Sequence, residues 1–393
     1  MPRIILKKNE ERRLLLGHQW IFSNEIDKME DVNRNGEVVE LFTSSNKFLG
    51  KGFYNKNSLI AYRHLTDKDE EIGKAFIFKR ISLANALRKK LNPSRDIYRM
   101  VNSESDFLPG LIIDKFEDKF SLQIFSFGIN EYLDVIKEIL IENFKAVLIV
   151  EKNNNELRVL EGLAKTEGVI HSSENDEDKT FVAEIDGIKY KIDLLSGQKT
   201  GFYLDQCENR LLLRRYIKDT YNVLDLFCNE GGFALNASFA GAGQIIAVDS
   251  SEQSIKTAKE NAAINNLSEI QFICRDVFDY VNDLFQTKDR FDLIILDPPS
   301  FTKSKKNLFT ALKGYHELNY KAMRLLKPNS LLFTFSCSHH INENNFEDVL
   351  LKSAVEAKRR IQVLEFRNCS FDHPVLSQMN ETKYLKGYLL RVI

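Results

Sequence analysis

Residues 223–251 read VLDLFCNEGGFALNASFAGAGQIIAVDSS. The run from Val223 to Phe227 is apolar except for Asp225, which predicts a buried strand closing on an acid. Gly231-Gly232 follow, where a tight turn lets backbone and ligand approach closely. A helix-length segment then leads to a second apolar strand that ends at Asp249. Working outward, IQFICRD (270–276), FDLIILD (291–297) and SLLFTFS (330–336) continue the rhythm. They alternate with helical segments such as SEQSIKTAKENAAIN (251–265). Strands this apolar are covered on both faces, so the pattern predicts an α/β fold with a doubly wound parallel sheet.

Four strands therefore end on or beside an acid: Asp225, Asp249, Asp276 (in Arg275-Asp276-Val277) and Asp297. In open α/β sheets that edge is where ligands bind, and a carboxylate ending the second strand suits a ribose diol. The glycine loop fits neither of the phosphate-cradling patterns, GxGxxG or GxxxxGK[ST]. An acid ahead of the glycines repels phosphate and suits a cationic amino-acid moiety. That combination matches S-adenosylmethionine. A single Asp of this kind is more often a helix cap; four in register favour a ligand edge.

Two further segments concern the reaction. In LDPPSFTKSKKN (296–307), Asp297 precedes two prolines that stiffen the loop. Ser300 stands where base-stacking N-methyltransferases carry an aromatic residue, with Phe301 one position later. Lys303, Lys305 and Lys306 form a cluster suited to a phosphate backbone, although a solvated loop has the same composition. FTFSCSHH (333–340) places Cys337 at the end of the fifth strand, on the same edge. A thiolate there can add to C6 of a pyrimidine and turn C5 into a nucleophile, with Asp297 steadying the ring at N3. Cys228, Cys274 and Cys369 read as inert. With Cys207 they complete an odd, scattered set without a CxxC pair, so neither a zinc site nor a disulfide framework is indicated, and no metal is expected.

The whole chain bounds these readings. Its 393 residues are 43% hydrophobic and 28% charged, with a formal net charge of −1, which excludes a tail-driven polycation. The first 66 residues and those after 186 are net basic, and the stretch between them is net acidic, so a polyanion contact belongs to the ends. EVVELFTSSNKFLGKGFYN (37–55) and SLIAYRHL (58–65) predict short strands in a small β-barrel. The middle block predicts a helix over 71–91, strands around Leu111–Phe116 and Phe120–Phe125, a helix over Glu131–Phe144, a strand Ala146–Val150, and an acidic loop Glu174–Lys179. A hairpin turning at Asp186-Gly187 closes it. No apolar run reaches membrane length and the first twenty residues lack the core of a signal peptide. A cytoplasmic protein is expected, with no membrane partner.

Taken together these motifs resemble the ribosomal RNA large subunit methyltransferase I family of cytosine-C5 methyltransferases. LKKNEERRLLLGHQWIFSNEI (6–26) is similar to the opening of that family's RNA-binding PUA domain. SESDFLPGLIIDKF (103–116) is similar to the start of its middle domain, and GQKTGFYLDQCENR (197–210) to the segment before the catalytic sheet. The glycine loop, LDPPSF, FSCSHH and FDHPVLSQMNETKYLKGY (371–388) match in order and spacing. The resemblance implies three domains: a PUA-like β-barrel over 1–70, a small α+β domain over 71–186, and a Rossmann-like class I methyltransferase domain over 187–393. It implies S-adenosylmethionine contacts from Thr200, Phe202, Tyr203, Asp205, Gln206, Asp225, Phe227, Gly231, Asp249, Ser250, Asp276, Val277 and Asp297. It also implies Cys337 as nucleophile and large-subunit ribosomal RNA as partner. Ser300 replaces the second cysteine of other RNA cytosine-C5 enzymes, which implies a single-cysteine mechanism. The family's HPW stands here as HQW (18–20), its FSYTGGF as FCNEGGF (227–233), and its DQR carries Cys207 in place of Arg, with Arg210 retained. Guanine N-methyltransferases of the large subunit share the sheet and a similar lysine-bearing loop, but need no Cys337 and are the alternative. A homodimer is the default if the chain oligomerises.

Overall fold

The strand–helix rhythm after residue 220 becomes a seven-stranded sheet. Its strands are β1 (Asn222–Leu226), β2 (Gln244–Asp249), β3 (Ile270–Cys274), β4 (Phe291–Leu296), β5 (Leu326–Ser336), β6 (Ile361–Arg367) and β7 (Lys386–Val392). They lie in the order β3-β2-β1-β4-β5-β7-β6. The first five run parallel, as expected of strands joined through helices. Sequence rhythm did not disclose the other two: β7 runs antiparallel between β5 and β6. The sheet is mixed because the chain reverses into its own edge.

Helices cover both faces. On one side α1 (Cys207–Arg214), α2 (Gly232–Phe239) and α3 (Glu252–Ile264) bury Leu213, Phe233, Ala234 and Ala258. Phe233 packs against Phe333 and Phe335 at ring separations of 5.9 and 5.6 Å. On the other side α4 (Val277–Leu284), α5 (Leu308–Leu325) and α6 (Glu343–Glu356) share one core with Leu224, Ile294 and Leu332. Each fully buried Leu or Ile contributes roughly 1.5–3 kcal/mol relative to exposure. This apolar body keeps the strand ends in register.

The computed structural model describes residues 1–173, 179–197, 199–302 and 304–393, so nearly all of the expected acidic loop 174–179 lies outside the described residues. The chain forms two units. One comprises Met1–Phe181, Ile192–Leu204 and Phe371–Thr382; the other comprises Val182–Lys191, Asp205–Ser370 and Lys383–Ile393, and holds the seven-stranded sheet. Both units are thus built from separated segments.

The first unit contains a six-stranded sheet in the order Trp20–Ile21, Tyr62–Thr66, Phe48–Tyr54, Val38–Phe42, Arg3–Leu6, Ile26–Glu30. It also contains a five-stranded sheet built from Ile97–Asn102, Leu111–Phe116, Lys119–Ile124, Leu148–Lys152 and Glu167–Ser172, covered by helices Lys74–Leu91 and Leu133–Phe144. Buried charges hold this unit together. Arg88 donates to both carboxylate oxygens of Asp106 at 2.6 Å, and Arg99 to those of Asp114 at 2.8 and 3.0 Å. Asp372, from the returning segment, accepts from the Arg99 amide at 2.8 Å, and its carbonyl accepts from Arg88 at 2.9 Å. Removing one member of such a buried set costs about 3–5 kcal/mol. The Asp186-Gly187 turn adopts the expected left-handed pair, φ 54° and 81°. Among the described residues no helix is long and apolar enough to cross a membrane.

Candidate active site

The glycine loop begins where β1 ends. Asp225 is fully buried, and its Oδ2 accepts the amide of Ala234 in the first turn of α2 at 2.9 Å. The acid therefore caps a helix whose own N-cap, Gly231, has no side chain to do so. Gly231 sits at φ 82°, a conformation costly for any L side chain. Gly232 has a different reason to be glycine. A Cβ there would lie 2.5 Å from Nε of Arg210 on α1, so the loop makes room for a guanidinium of this chain.

Oδ1 of Asp225 is buried and has no hydrogen-bond partner among the described residues. Burial is the main force pushing this carboxyl up to about 7; the Ala234 amide works against it, and Asp297 adds to the rise. A cationic donor brought to Oδ1 satisfies the orphaned oxygen and offsets the cost of the buried charge. The site thus fits the amino-acid end of S-adenosylmethionine.

Asp249 is held by two backbone amides, Asn229 to Oδ2 and Ser251 to Oδ1, each at 2.9 Å. These fix the carboxylate beside Ser250 while leaving lone pairs for hydroxyl donors. Asp276 is exposed and caps α4, accepting the Asp279 amide at 3.1 Å, with Val277 buried behind it. Phe227, at φ 64°, packs edge-on against Phe278 and Phe301. Phe301 in turn lies 4.6 Å from the ring of Tyr315. The aromatic residue of the DPP loop is thus engaged in anchoring that loop. Just before α1, Asp205 accepts from the hydroxyl of Tyr384 at 2.6 Å, and Gln206 accepts from Asn209 at 2.6 Å.

Cys337 follows the last residue of β5, and its Sγ is 3.7 Å from the carbonyl oxygen of Pro298. Nucleophile candidate and Asp297 loop therefore meet on adjoining strand ends. Ser338 ties them further: its Oγ is 3.0 Å from both Ser300 Oγ and Tyr315 Oη. Burial pushes Tyr315 up to about 12, so its hydroxyl keeps its proton at neutral pH. Cys228 is buried, and burial pushes its thiol well up, with Asp225 and Asp249 adding to the rise. It is a packing residue. Lys306 is exposed beside α5, Lys305 opens the short turn Lys305–Asn307, and Lys303 lies outside the described residues.

Thr200, Phe202 and Tyr203 belong to the first unit. The Thr200 hydroxyl donates to Asp114, whose carboxyl, in spite of burial, is held below the usual range by Arg99, His373 and Thr200. Phe202 is buried, and Tyr203 carries the Lys199 ammonium 4.2 Å above its ring. Reading the sequence alone assigns no role to Tyr315, Ser338, Tyr384 or Lys386. The last two lie in FDHPVLSQMNETKYLKGY, whose match in order and spacing was the available signal.

Residues 4–67 match the PUA-like domain family and residues 217–368 a methyltransferase domain family. A crystal structure described as a methyltransferase complexed with SAH superposes with a TM-score of 0.85 over the full length of both chains, at 23% identity, which shows a shared fold. That fold is an N-terminal PUA-like domain followed by a Rossmann-like methyltransferase sheet of the S-adenosylmethionine-dependent type. Proteins named ribosomal RNA large subunit methyltransferase I from Aliivibrio fischeri and Tolumonas auensis are each 37% identical over 395 residues, covering 99% of this chain and 99% of theirs. Identity at that level, end to end, leaves one assignment: the chain belongs to the ribosomal RNA large subunit methyltransferase I family.

Proposed function

We propose that this protein methylates large-subunit ribosomal RNA and forms 5-methylcytidine through a covalent adduct between Cys337 and C6 of the base. The observation that carries the reading is the approach of Cys337 Sγ to the Pro298 carbonyl at 3.7 Å, which sets a thiol and the Asp297 carboxyl at neighbouring strand ends. A guanine N-methyltransferase has no use for a thiol there.

S-adenosylmethionine, when bound, supplies an electrophilic methyl group on a sulfonium. Asp225 holds its ammonium, and Asp249 with Ser250 takes the ribose hydroxyls. Asp276, Val277, Phe227 and Gly231 line the same edge. The family resemblance adds Asp205, Gln206, Thr200, Phe202 and Tyr203 to the proposed contacts. Residues 1–70 serve as the RNA-binding domain, 71–186 as the middle domain and 187–393 as the catalytic domain. Lys303, Lys305 and Lys306 engage phosphates. The target cytidine is unstacked before reaction, since chemistry on a base inside a helix is blocked.

Cys337 thiolate donates its electron pair to C6, the C5–C6 pair shifts toward C4, and N3 takes a proton with Asp297 beside it. C5 then bonds to the methyl carbon while the sulfonium C–S pair returns to sulfur. Transfer of the C5 proton to a base expels the thiolate, and N3 gives back its proton as the aromatic ring is restored. The deciding experiment is transfer of labelled methyl to ribosomal RNA from cells lacking the enzyme, followed by digestion to nucleosides. Labelled 5-methylcytidine is the expected product. Labelled guanosine would make Cys337 a structural residue and establish N-methylation.

A further inference from the structure

Lys386 is a buried cation at an unusual address. It opens β7, pairs in register with Ser336 at the end of β5, and is only 4% exposed. Its Nζ donates to the carbonyl of Ser338 at 2.8 Å and to that of Tyr384 at 2.7 Å. Residues 336 and 338 flank Cys337, so the amine is fixed within the turn that carries the thiol. Two of its three donors are spent on neutral carbonyls. Among the described residues no carboxylate lies within ion-pair distance of it. Glu343, the nearby acid on α6, is already paired with Lys383 at 2.6 Å. A buried ammonium without a carboxylate is expensive to maintain. It calls for an anion.

The charged and titratable groups around Lys386 are few. Burial pushes the amine down to about 8. Against this, negative charge on Cys337 raises it, followed by Glu343 and Cys369, while Lys383 lowers it. His339 and His340 lie on the loop after β5, with the His339 ring tilted against that of Tyr384 at a centroid separation of 5.5 Å. Glu343 already has its partner, so a thiolate on Cys337 is the anion best placed to answer Lys386.

We propose that Lys386 is a positioning residue for methyl transfer, its ammonium being the fixed counter-charge that holds Cys337 in the ionised form. The functional weight of this pair rests on the covalent reading above. The proton of Sγ leaves to solvent and the charge pair forms inside the turn. When sulfur bonds to C6 its negative charge passes into the ring. When the C5 proton is later lost, the C6–S pair returns to sulfur beside the same ammonium. One cation thus assists both attack and release, because it stabilises the species that enters and the species that leaves.

The test uses the intact chain and iodoacetamide between about pH 6 and pH 9.5, with alkylation of the Cys337 peptide followed by mass spectrometry. In the unmodified protein the midpoint of alkylation is expected below the value of about 8.5 for a free cysteine. Lys386→Met is expected to move the midpoint up by about one unit or more, slowing alkylation at neutral pH about tenfold. Lys386→Arg keeps the cation and is expected to keep most of the reactivity. A midpoint at or above that of free cysteine in the unmodified protein overturns the pairing, whatever the variants do. So does a midpoint that Lys386→Met leaves in place. If the midpoint behaves as expected but Cys337→Ala still methylates RNA, the pairing stands and the covalent reading fails.

Discussion

Ser300 Oγ and Ser338 Oγ lie 3.0 Å apart, one on the loop that carries Asp297 and the other beside Cys337. With Tyr315 Oη at 3.0 Å from the same Ser338 oxygen, three hydroxyls bind two strand-end loops and α5 into one piece. Ser338→Ala removes the shared partner of the other two. It is expected to lower stability by about 1–3 kcal/mol in chemical denaturation. Single-turnover methyl transfer should slow about tenfold or more as the loops lose alignment, with cofactor affinity nearly unchanged. Equal losses in cofactor binding and turnover would instead mean general unfolding.

Cys337→Ala tests the nucleophile directly. Cofactor binding by calorimetry should stay within about twofold, while labelled methyl transfer falls by at least about three orders of magnitude, as expected when covalent chemistry is lost. Near-normal transfer would falsify the covalent route.

Asp225 makes the cofactor affinity pH-dependent. Its carboxyl is pushed up to about 7 by burial, and a bound ammonium favours the ionised form. Affinity should therefore strengthen as pH rises through about 7 and level off above it. In the ligand-free protein the sign for stability is opposite. The raised carboxyl binds its proton more tightly folded than unfolded, so its contribution is complete below the unfolded value near 3.8 and is lost as pH rises through about 7. Asp225→Asn should flatten both profiles and make the ligand-free protein more stable at pH 8, by up to roughly 4 kcal/mol, with little difference at pH 4. An unchanged affinity profile in the variant would place the titration elsewhere.

Gly232→Ala is expected to be worse than its helical position suggests. Alanine normally favours a helix interior, yet here the methyl meets the Arg210 guanidinium at 2.5 Å. Displacing that buried side chain should cost about 1–3 kcal/mol in urea unfolding. If the variant proves as stable as the parent, Arg210 has room to move and the close approach carries no constraint.

Lys306 is exposed next to the loop assigned to RNA. Lys306→Ala should weaken binding to ribosomal RNA fragments regardless of their sequence. It should also reduce the slope of log affinity against log salt by about one unit, as for the loss of one phosphate contact. A salt slope that does not move would place the lysine outside the interface.

What the sequence disclosed, and what it did not, follows from range. Asp225 and Asp249 are legible as strand-end acids because each sits within a few residues of its own apolar run. The same local pattern identifies Asp276, and the capping that is commoner for a single strand-end Asp is what its carboxylate does at α4. Gly232 reads as room for a ligand, whereas the atoms that need the room belong to Arg210, over twenty residues earlier. Lys386 is the furthest from view. Its address depends on β7 entering antiparallel between β5 and β6, and on the pairing of Ser336 with residue 386. The strands read from the sequence stop at β5, and a side-chain pattern is in any case silent about a strand's neighbours. Tyr384 and Tyr315 are hidden for the same reason: their partners lie across the fold and not along the chain.

Asp372 reaches Arg99 and Arg88 from a segment that follows almost the whole second unit in the chain. In evolutionary terms neither unit is a cassette. Recombination that moved residues 1–204 alone would carry off a body lacking its Asp372 clasp, and would leave that clasp behind as an orphaned strip.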